Sequence, residues 1–301
     1  MAEDKTFKQE IQNIFEAGKH TPLDKLVFTY KGVLYPSVPC NIDIFQALES
    51  FEARNDDILL ASYPKCGSNW TLQLLSDMIK VAYSRNALTK IPILEFAAPD
   101  KFEKLKQEGS PRLLSTHLLY DNIPKNVFEK RVKIVLVIRN PKDTAVSFFH
   151  FYNSNVLYPT YNSWDTFFQD FISGKVAWGS YFDQMVAWNK HIDDDTVYIV
   201  TYEEMKQDLK AAVKKMAGFL GISLNEEQVQ QIADDGTFKS MKEKAKESYG
   251  DFVPVFFRKG EVGDWKNYFT EAQNQEIDAK FEEYLAGTKL GEMINYNVYC
   301  K

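Results

Sequence analysis

The chain has 301 residues, of which 45% are hydrophobic and 26% are charged. This composition is typical of a soluble globular protein, and it argues against a disordered or fibrous chain. The 36 basic and 42 acidic side chains leave a net charge of −6. Proteins that bind nucleic acid through their overall charge are basic, so no nucleic-acid partner is expected. An anionic ligand would need a local basic cluster instead.

The compartment can also be predicted from the sequence. The first residues, Met-Ala-Glu-Asp-Lys-Thr-Phe-Lys, do not have the pattern of a secretory signal. No apolar run approaches the roughly 18 residues of a membrane helix. The three cysteines Cys40, Cys66 and Cys300 are widely separated, unlike a disulfide framework or a zinc site. We therefore expect a cytoplasmic protein with no membrane partner.

Short apolar runs alternate along the chain with longer segments of helical periodicity. Strands are predicted at 57–63, 112–117, 132–138 and 196–201, and helices at 70–83, 141 to about 150, and 203–220. The strand at 132–138 is apolar on both faces, as a central parallel strand should be. This alternation predicts an α/β fold in which helices flank a central parallel sheet. A single domain is expected over 1–301, with residues 1–27 as an N-terminal segment.

The segment 63–70, Tyr-Pro-Lys-Cys-Gly-Ser-Asn-Trp, joins a predicted strand to a predicted helix. Gly67 permits a sharp turn whose backbone N–H groups can point at an anion. The helix N-terminus adds partial positive charge, and Lys65 adds a full charge. The segment is therefore P-loop-like, although its lysine precedes its glycine and it is not a Walker A motif. An ordinary turn with a surface lysine is the alternative.

Two further basic elements follow. Arg139 ends the predicted strand at 132–138, and with Ser147 it could hold a second phosphate. A helix cap with a solvated arginine is the alternative. Arg258 and Lys259 stand beside Gly260 in a third loop. Three separated basic loops in an acidic protein indicate a ligand with more than one phosphate.

These three segments resemble the cytosolic sulfotransferase family. The family motifs Tyr-Pro-Lys-x-Gly-x-x-Trp, Arg-Asn-x-Lys-Asp-x-x-x-Ser and Arg-Lys-Gly-x-x-Gly-Asp-Trp match residues 63–70, 139–147 and 258–265, in the same order. The resemblance implies transfer of a sulfuryl group from 3′-phosphoadenylyl sulfate (PAPS) to a hydroxyl or amine of a small, hydrophobic molecule. The product would be adenosine 3′,5′-bisphosphate (PAP), and no metal is expected.

The resemblance also implies roles for individual residues. Lys65 matches the lysine that reaches the bridging oxygen of the donor. The 5′-phosphate loop corresponds to Cys66, Gly67, Ser68 and Asn69, and the 3′-phosphate pocket to Arg139, Ser147, Arg258, Lys259 and Gly260. The residues matched to the adenine pocket are Trp70, Tyr202, Thr237 and Phe238.

A general base must come from few candidates, because the chain has only four histidines. His117 ends a predicted strand at the ligand edge and matches the catalytic histidine of the family. Neutral imidazole titrates near neutral pH, so it can accept the proton of a hydroxyl as the oxygen attacks sulfur. His150 and His191 fall in helical runs and are interpreted as structural or exposed.

The chain departs from the family pattern at three places. Ser115 stands where many phenol-preferring members have lysine, so the acceptor stays open among phenols, iodothyronines, steroids and amines. Cys66 beside a lysine could be an oxidisable thiol of lowered pKa, although a small filler is the favoured interpretation. The family dimer motif begins at Lys266, but Glu271 and Gln275 replace its valine and glutamate. We therefore do not expect the family-type homodimer.

Two other functions remain as alternatives. A P-loop nucleotide kinase or NTPase would need GxxxxGK[ST] and a strand-terminal Asp, whereas the strand at 132–138 ends in Arg139. A non-catalytic carrier could use the aromatic side chains of 148–161 to hold a small hydrophobic molecule, although His117 and Lys65 argue against it. Eight aromatic residues could line an apolar acceptor pocket or merely the core: Phe96, Phe102, Phe148, Phe149, Phe151, Tyr152, Phe252 and Phe256.

Overall fold

The computed structural model describes residues 2–88, 92–96 and 100–301. Its strands are β1 Val27–Tyr30, β2 Val33–Pro36, β3 Ile58–Ser62, β4 Leu113–Thr116, β5 Lys133–Ile138 and β6 Val197–Thr201. Its helices are α1 Ala2–His20, α2 Ile42–Leu48, α3 Ser68–Tyr83, α4 Lys101–Leu105, α5 Lys125–Glu129, α6 Pro141–Ser154, α7 Trp164–Ile172, α8 Tyr181–Asn189, α9 Tyr202–Gln207, α10 Leu209–Leu220, α11 Glu226–Asp235, α12 Phe238–Tyr249, α13 Val253–Phe256, α14 Glu271–Tyr284, α15 Lys289–Ile294 and α16 Tyr296–Tyr299.

The central sheet is parallel and has the strand order β4-β3-β5-β6. Ile58 of β3 lies opposite Leu113 of β4 on one side and Lys133 of β5 on the other. All four strands therefore end at the same edge of the sheet, where ligands bind in open α/β folds. A separate antiparallel ribbon pairs β1 with β2.

The central strands are buried on both faces. Leu59 and Ile134 point into one apolar core, whereas Leu60 and Val135 point into the other. Alternate side chains of a strand face opposite sides of the sheet, so an apolar run of this kind is stable only between two layers of helices. The fold class predicted from the sequence is confirmed.

The predicted elements agree with the structure except in their limits. The four predicted strands coincide with β3, β4, β5 and β6, and Pro141 is at the first position of α6. The predicted helix at 203–220 is wrong in one respect, because it consists of two helices, α9 and α10. Asp208 has a non-helical backbone between them, with φ −147° and ψ 85°, and its side chain accepts a hydrogen bond from Ala211 N, which caps α10. Gly221 ends α10 with a φ of 73°.

The N-terminal segment, which the sequence left without secondary structure, is largely the helix α1. Among the described residues, no helix is long and apolar enough to cross a membrane. The predicted domain limits of 1–301 remain a prediction.

Candidate active site

The loop after β3 is shaped for close backbone approach. Lys65 and Gly67 have φ angles of 70° and 106°, and a Cβ on Gly67 would lie 2.9 Å from the Tyr202 ring. At position 67, the positive φ and the close approach to Tyr202 can be accommodated without strain only by glycine. The turn delivers Ser68 and Asn69 to the first turn of α3, whose leading N–H groups have no partner inside the helix. Those groups and the helix dipole can hold an anion.

Cys66 is the inward-facing residue of this loop. Its side chain is fully buried, Sγ lies 3.7 Å from Thr144 Oγ1, and its N–H donates to Tyr63 O. Burial raises the pKa of the Cys66 thiol to about 12. The favoured interpretation of Cys66 as a small filler therefore agrees with the structure, and a thiol of lowered pKa does not.

Lys65 projects into the space between the strand ends. Its Nζ lies 3.9 Å from the centre of the Phe151 ring, a cation–π contact. Burial, together with the charges of Arg139 and Arg258, lowers the pKa of Lys65 to about 7. A bound anion would reverse this effect, because it stabilises the charged form of the amine.

His117 follows β4 and is held in a single orientation. Its Nδ1 lies 2.9 Å from Ser62 O and 3.2 Å from Ser62 Oγ. A carbonyl oxygen can only accept, so Nδ1 carries the proton and Nε2 is the basic nitrogen. Burial lowers the pKa of His117, while the nearby Glu95 carboxylate acts in the opposite direction. The imidazole is therefore neutral and basic at physiological pH.

Glu95 is a buried carboxylate behind this histidine, and sequence analysis missed it. One of its oxygens accepts from His117 N at 2.7 Å, and the other accepts from Thr116 Oγ1 at 2.9 Å. Glu95 thus fixes the backbone at the end of β4, where His117 leaves the sheet. Its short surrounding motif, Leu-Glu-Phe, has no feature that could have identified it.

Arg139, at the end of β5, lies beside the same loop. Its guanidinium stacks 4.2 Å above the Tyr202 ring and donates to Glu261 O at 2.8 Å. Its Nε is buried without a partner within the described protein atoms. A buried donor of this kind is costly unless it is paired, so the guanidinium fits an anionic ligand.

The third basic loop is attached to the second through Asp143. The Asp143 carboxylate accepts from Gly263 N at 2.7 Å and from Trp265 N at 3.1 Å. Arg258 and Lys259 form ion pairs with Asp264 at 2.7 and 2.6 Å. Hydrogen bonds from these cations and from Asn267 hold the pKa of Asp264 at about 2, although burial opposes this shift.

An aromatic slot lies at the other side of the loop. The Trp70 and Tyr202 rings meet edge to face at 5.3 Å, and Trp70 Nε1 donates to Gly236 O at 2.7 Å. A Cβ on Gly260 would lie only 2.2 Å from the Phe238 ring. Thr237 caps α12 and positions Phe238 at its start. The slot brings together Trp70, Tyr202 and Phe238, which are expected from the family resemblance to surround the adenine, and that role remains a prediction.

Two adjoining cavities meet at His117. The first, of about 720 Å³, contains Lys65, Gly67, Ser68, Trp70, Arg139 and Tyr202. The second, of about 750 Å³, is mostly apolar and reaches His117, Ser68, Asn69 and Phe151 from the other side. Both volumes include space that is open to solvent at the mouth. Ser147, Arg258 and Lys259 do not line either cavity.

Comparison with known proteins identifies this arrangement. A model of the sulfotransferase domain matches residues 55–289. The chain is 49% identical over 302 residues to Sulfotransferase 6B1 of Homo sapiens, with 100% of both chains covered. It is 48% identical over 301 residues to the Mus musculus protein of the same name, covering 100% of this chain and 99% of that protein. The chain belongs to the sulfotransferase family. It is therefore a group-transfer enzyme, as predicted.

Solved structures agree with this assignment. A mouse sulfotransferase crystallised with PAP superposes with a TM-score of 0.80 at 35% identity, and covers 92% of this chain and 99% of its own. A retinol dehydratase is similar in fold, with a TM-score of 0.73 at 20% identity, and covers 93% of this chain and 95% of its own. The alternatives of a P-loop kinase and a non-catalytic carrier gain no support from these relatives.

The aromatic residues of this sulfotransferase divide between cavity and core. Phe96, Phe151 and Phe256 line the apolar cavity. Phe148 and Tyr152 are buried in the core. Outside the predicted set, Trp178 meets the His117 ring edge to face at 5.3 Å and lines the first cavity. No local sequence pattern places Trp178 at the site, because it is brought there from the segment before α8.

Two of the three other histidines of the sulfotransferase make contacts outside the two cavities. His150, on α6, is 2.8 Å from Tyr268 Oη. His191 lies just after α8, rather than within a helix, and contacts Asp194 at 2.9 Å. Within the described ranges, no cluster of three or more His, Cys, Asp or Glu side chains could hold a metal ion.

Proposed function

We propose that this sulfotransferase takes its sulfuryl group from PAPS and transfers it to the hydroxyl or amine of a small apolar acceptor, releasing PAP. The observation that carries the proposal is the position of His117 and Lys65 together in the cavity that joins the donor loop to the apolar cavity. A base and a cation are the two groups that an in-line displacement at sulfur needs.

The donor is assigned to the first cavity. The N-terminus of α3, with Lys65, Gly67, Ser68 and Asn69, takes the 5′-phosphosulfate. Arg139 takes the 3′-phosphate, and its buried, unpartnered Nε supports this role. The adenine lies in the slot of Trp70, Tyr202, Phe238 and Gly260. The family motif assigns Arg258, Lys259 and Ser147 of α6 to the 3′-phosphate as well, although none of them lines the cavity.

The chemical step uses few protein groups. His117 Nε2 accepts the proton of the acceptor hydroxyl as the oxygen forms its bond to sulfur. The bond between sulfur and the bridging oxygen breaks at the same time, and the electron pair stays on that oxygen. Protonated Lys65 neutralises the charge that develops there. The proton on His117 then passes to solvent, which restores the base.

The acceptor is assigned to the apolar cavity. Aromatic and aliphatic side chains make up most of its wall, and among the described residues the lining includes no Asp, Glu, Lys or Arg. Ser115 Oγ is buried there without a partner within the described residues, so an acceptor with a second polar group could bond to it. The cavity favours neutral phenols, steroids and similar ring compounds over charged amines.

We place the enzyme in the cytoplasm. Its cysteines Cys40, Cys66 and Cys300 are all buried as free thiols, which suits a reducing compartment. Cell fractionation with an antibody to the natural protein tests this placement, and a vesicular or extracellular location would contradict it.

The donor assignment is tested by isothermal titration calorimetry. PAP should bind much more tightly than ADP, because only PAP carries the 3′-phosphate that Arg139 is assigned to hold. Arg139→Ala should lose about 2–5 kcal/mol of PAP binding, as expected for a truncated buried charge pair, and should remove most of the difference between the ligands. Equal affinities for PAP and ADP in the unmodified protein would contradict the assignment.

A further inference from the structure

One wall of the apolar cavity comes from outside the sequence motifs. α1 contributes Ile11, Ile14 and Phe15 to the cavity lining. Their i, i+3, i+4 spacing places them on a single face of the helix. Gln12 and Asn13, which point away, are exposed. α1 is therefore an amphipathic helix whose apolar face is turned toward the cavity.

Phe15 packs this helix against neighbouring aromatic rings. It is 2% exposed, and it stacks on Phe252 with 4.0 Å between ring centres. It also meets Phe256 edge to face at 6.1 Å. Phe256 in turn is 6.1 Å from Phe151, the ring beneath Lys65 Nζ. A continuous row of rings thus connects α1 with the catalytic lysine.

α1 also contacts the segment that follows α6. Gly18 is packed so closely that a Cβ would lie 2.6 Å from Leu157 Cδ2 and 3.2 Å from Val156 O. Leu157 also lines the cavity. α1 therefore lies between two parts of the cavity wall. Its three apolar residues line the acceptor cavity and not the donor cavity.

We propose that α1 selects acceptors by length, with Phe15 as the principal specificity-determining residue and Ile11 and Ile14 beside it. The selected class is a neutral molecule whose apolar body extends from its reacting hydroxyl toward α1. This inference rests on the proposed function, because it requires the apolar cavity to hold the acceptor. Replacing Phe15 by a smaller residue opens space that a longer acceptor can fill.

The test is a series of para-alkylphenols, from methyl to octyl, assayed at saturating PAPS. Phe15→Ala should raise the ratio of kcat/KM for octylphenol to kcat/KM for methylphenol by about tenfold or more, since apolar pockets discriminate by this much. Gln12→Ala, on the exposed face of the same helix, should leave the ratio unchanged. PAP affinity should stay the same in both variants. A uniform loss across the series in Phe15→Ala would overturn the proposal.

If Phe15→Ala folds poorly, two further measurements still test the proposal. Phe15→Leu keeps most of the apolar volume and should shift the ratio in the same direction by a smaller factor. Hydrogen exchange of residues 8–20 in the unmodified protein should slow when octylphenol joins the PAP complex, and unchanged exchange would contradict contact with α1. Failure of the unmodified enzyme to sulfate any acceptor would overturn the proposed function, whereas normal turnover with unaltered length preference in Phe15→Ala would overturn only the role of α1.

Discussion

Because Lys65 is buried, the charge of its amine depends on pH in the neutral range. The lowered pKa of about 7 means that the amine loses its proton as pH rises through neutrality in the ligand-free protein. The phosphosulfate of a donor favours the protonated form, so the pKa is higher in the complex than in the free enzyme. Donor binding at alkaline pH must therefore take up a proton.

This coupling between the protonation of Lys65 and donor binding predicts how PAP affinity changes with pH. PAP affinity should be greatest below pH 7, where the Lys65 amine is charged in the free enzyme and in the complex, and should fall by up to about tenfold per pH unit as pH rises above 7. In Lys65→Arg the guanidinium stays charged across this range, so the dependence should disappear. Calorimetry at pH 7, 8 and 9 in buffers of different ionisation enthalpy measures both affinity and proton uptake. A flat affinity in the unmodified enzyme would show that Lys65 does not contact the anion.

At the scale of elements, the first turn of α6 holds two loops together. Asn140 caps the helix, and its side chain accepts from Asp143 N at 2.8 Å. Asp143, which is fully buried, accepts from the backbone of Gly263 and Trp265 in the third loop. Asn140 and Asp143, which follow Arg139 along the chain, therefore have two roles. Together they begin the helix α6, and they fix the loop that carries Arg258 and Lys259.

Removing this carboxylate should destabilise the third loop and weaken the donor pocket. Asp143→Ala leaves two backbone N–H groups without their acceptor, at a cost of about 1–3 kcal/mol each if they stay buried. The third loop should loosen, and PAP affinity should fall more than ADP affinity. Asp165→Ala is the control, because Asp165 is in the first turn of α7 and accepts from Gln273 at 2.8 Å, away from the site. Equal effects of the two substitutions on PAP binding would exclude this role.

The sequence was sufficient to predict the positions of those site residues that depend only on neighbouring elements along the chain. A strand, a glycine turn and a helix place Lys65 and Gly67 without help from distant residues, and His117 and Arg139 directly follow strands of one sheet. Glu95 and Trp178 could not be predicted in this way. They reach His117 through loops whose paths depend on tertiary packing, and their own neighbours in sequence carry no signal. The break at Asp208 was missed because the apolar periodicity continues across it.

At the scale of the whole molecule, we expect a monomer or a weak dimer at micromolar concentration. Lys266, Thr270, Glu271 and Gln275 are all exposed, and Gln275 Nε2 donates to Glu271 Oε1 at 3.1 Å. In a two-fold contact, one Glu271 from each chain would bring two carboxylates together. Such repulsion can reach a few kcal/mol at reduced dielectric.

Sedimentation equilibrium tests this expectation. Glu271→Val combined with Gln275→Glu should strengthen association through this surface, because it removes the paired carboxylates and restores the family motif. Val298→Ser, at a 60% exposed residue of α16, is a control outside the motif. A tight dimer of the unmodified chain that substitution at Glu271 leaves intact would contradict the prediction.

The proposed mechanism depends on one claim, that His117 removes the acceptor's proton while the neighbouring cavity holds PAPS. The most direct measurement is transfer of radiolabelled sulfate from PAPS to an aliphatic alcohol by the unmodified enzyme, His117→Ala and His191→Ala, with PAP affinity measured in parallel. His117→Ala should lower kcat by about 10²–10⁴-fold, the usual contribution of general-base catalysis, with PAP affinity little changed. His191→Ala should keep near-normal turnover. Retention of most of the turnover by His117→Ala, toward an alcohol that does not ionise by itself, would contradict the claim.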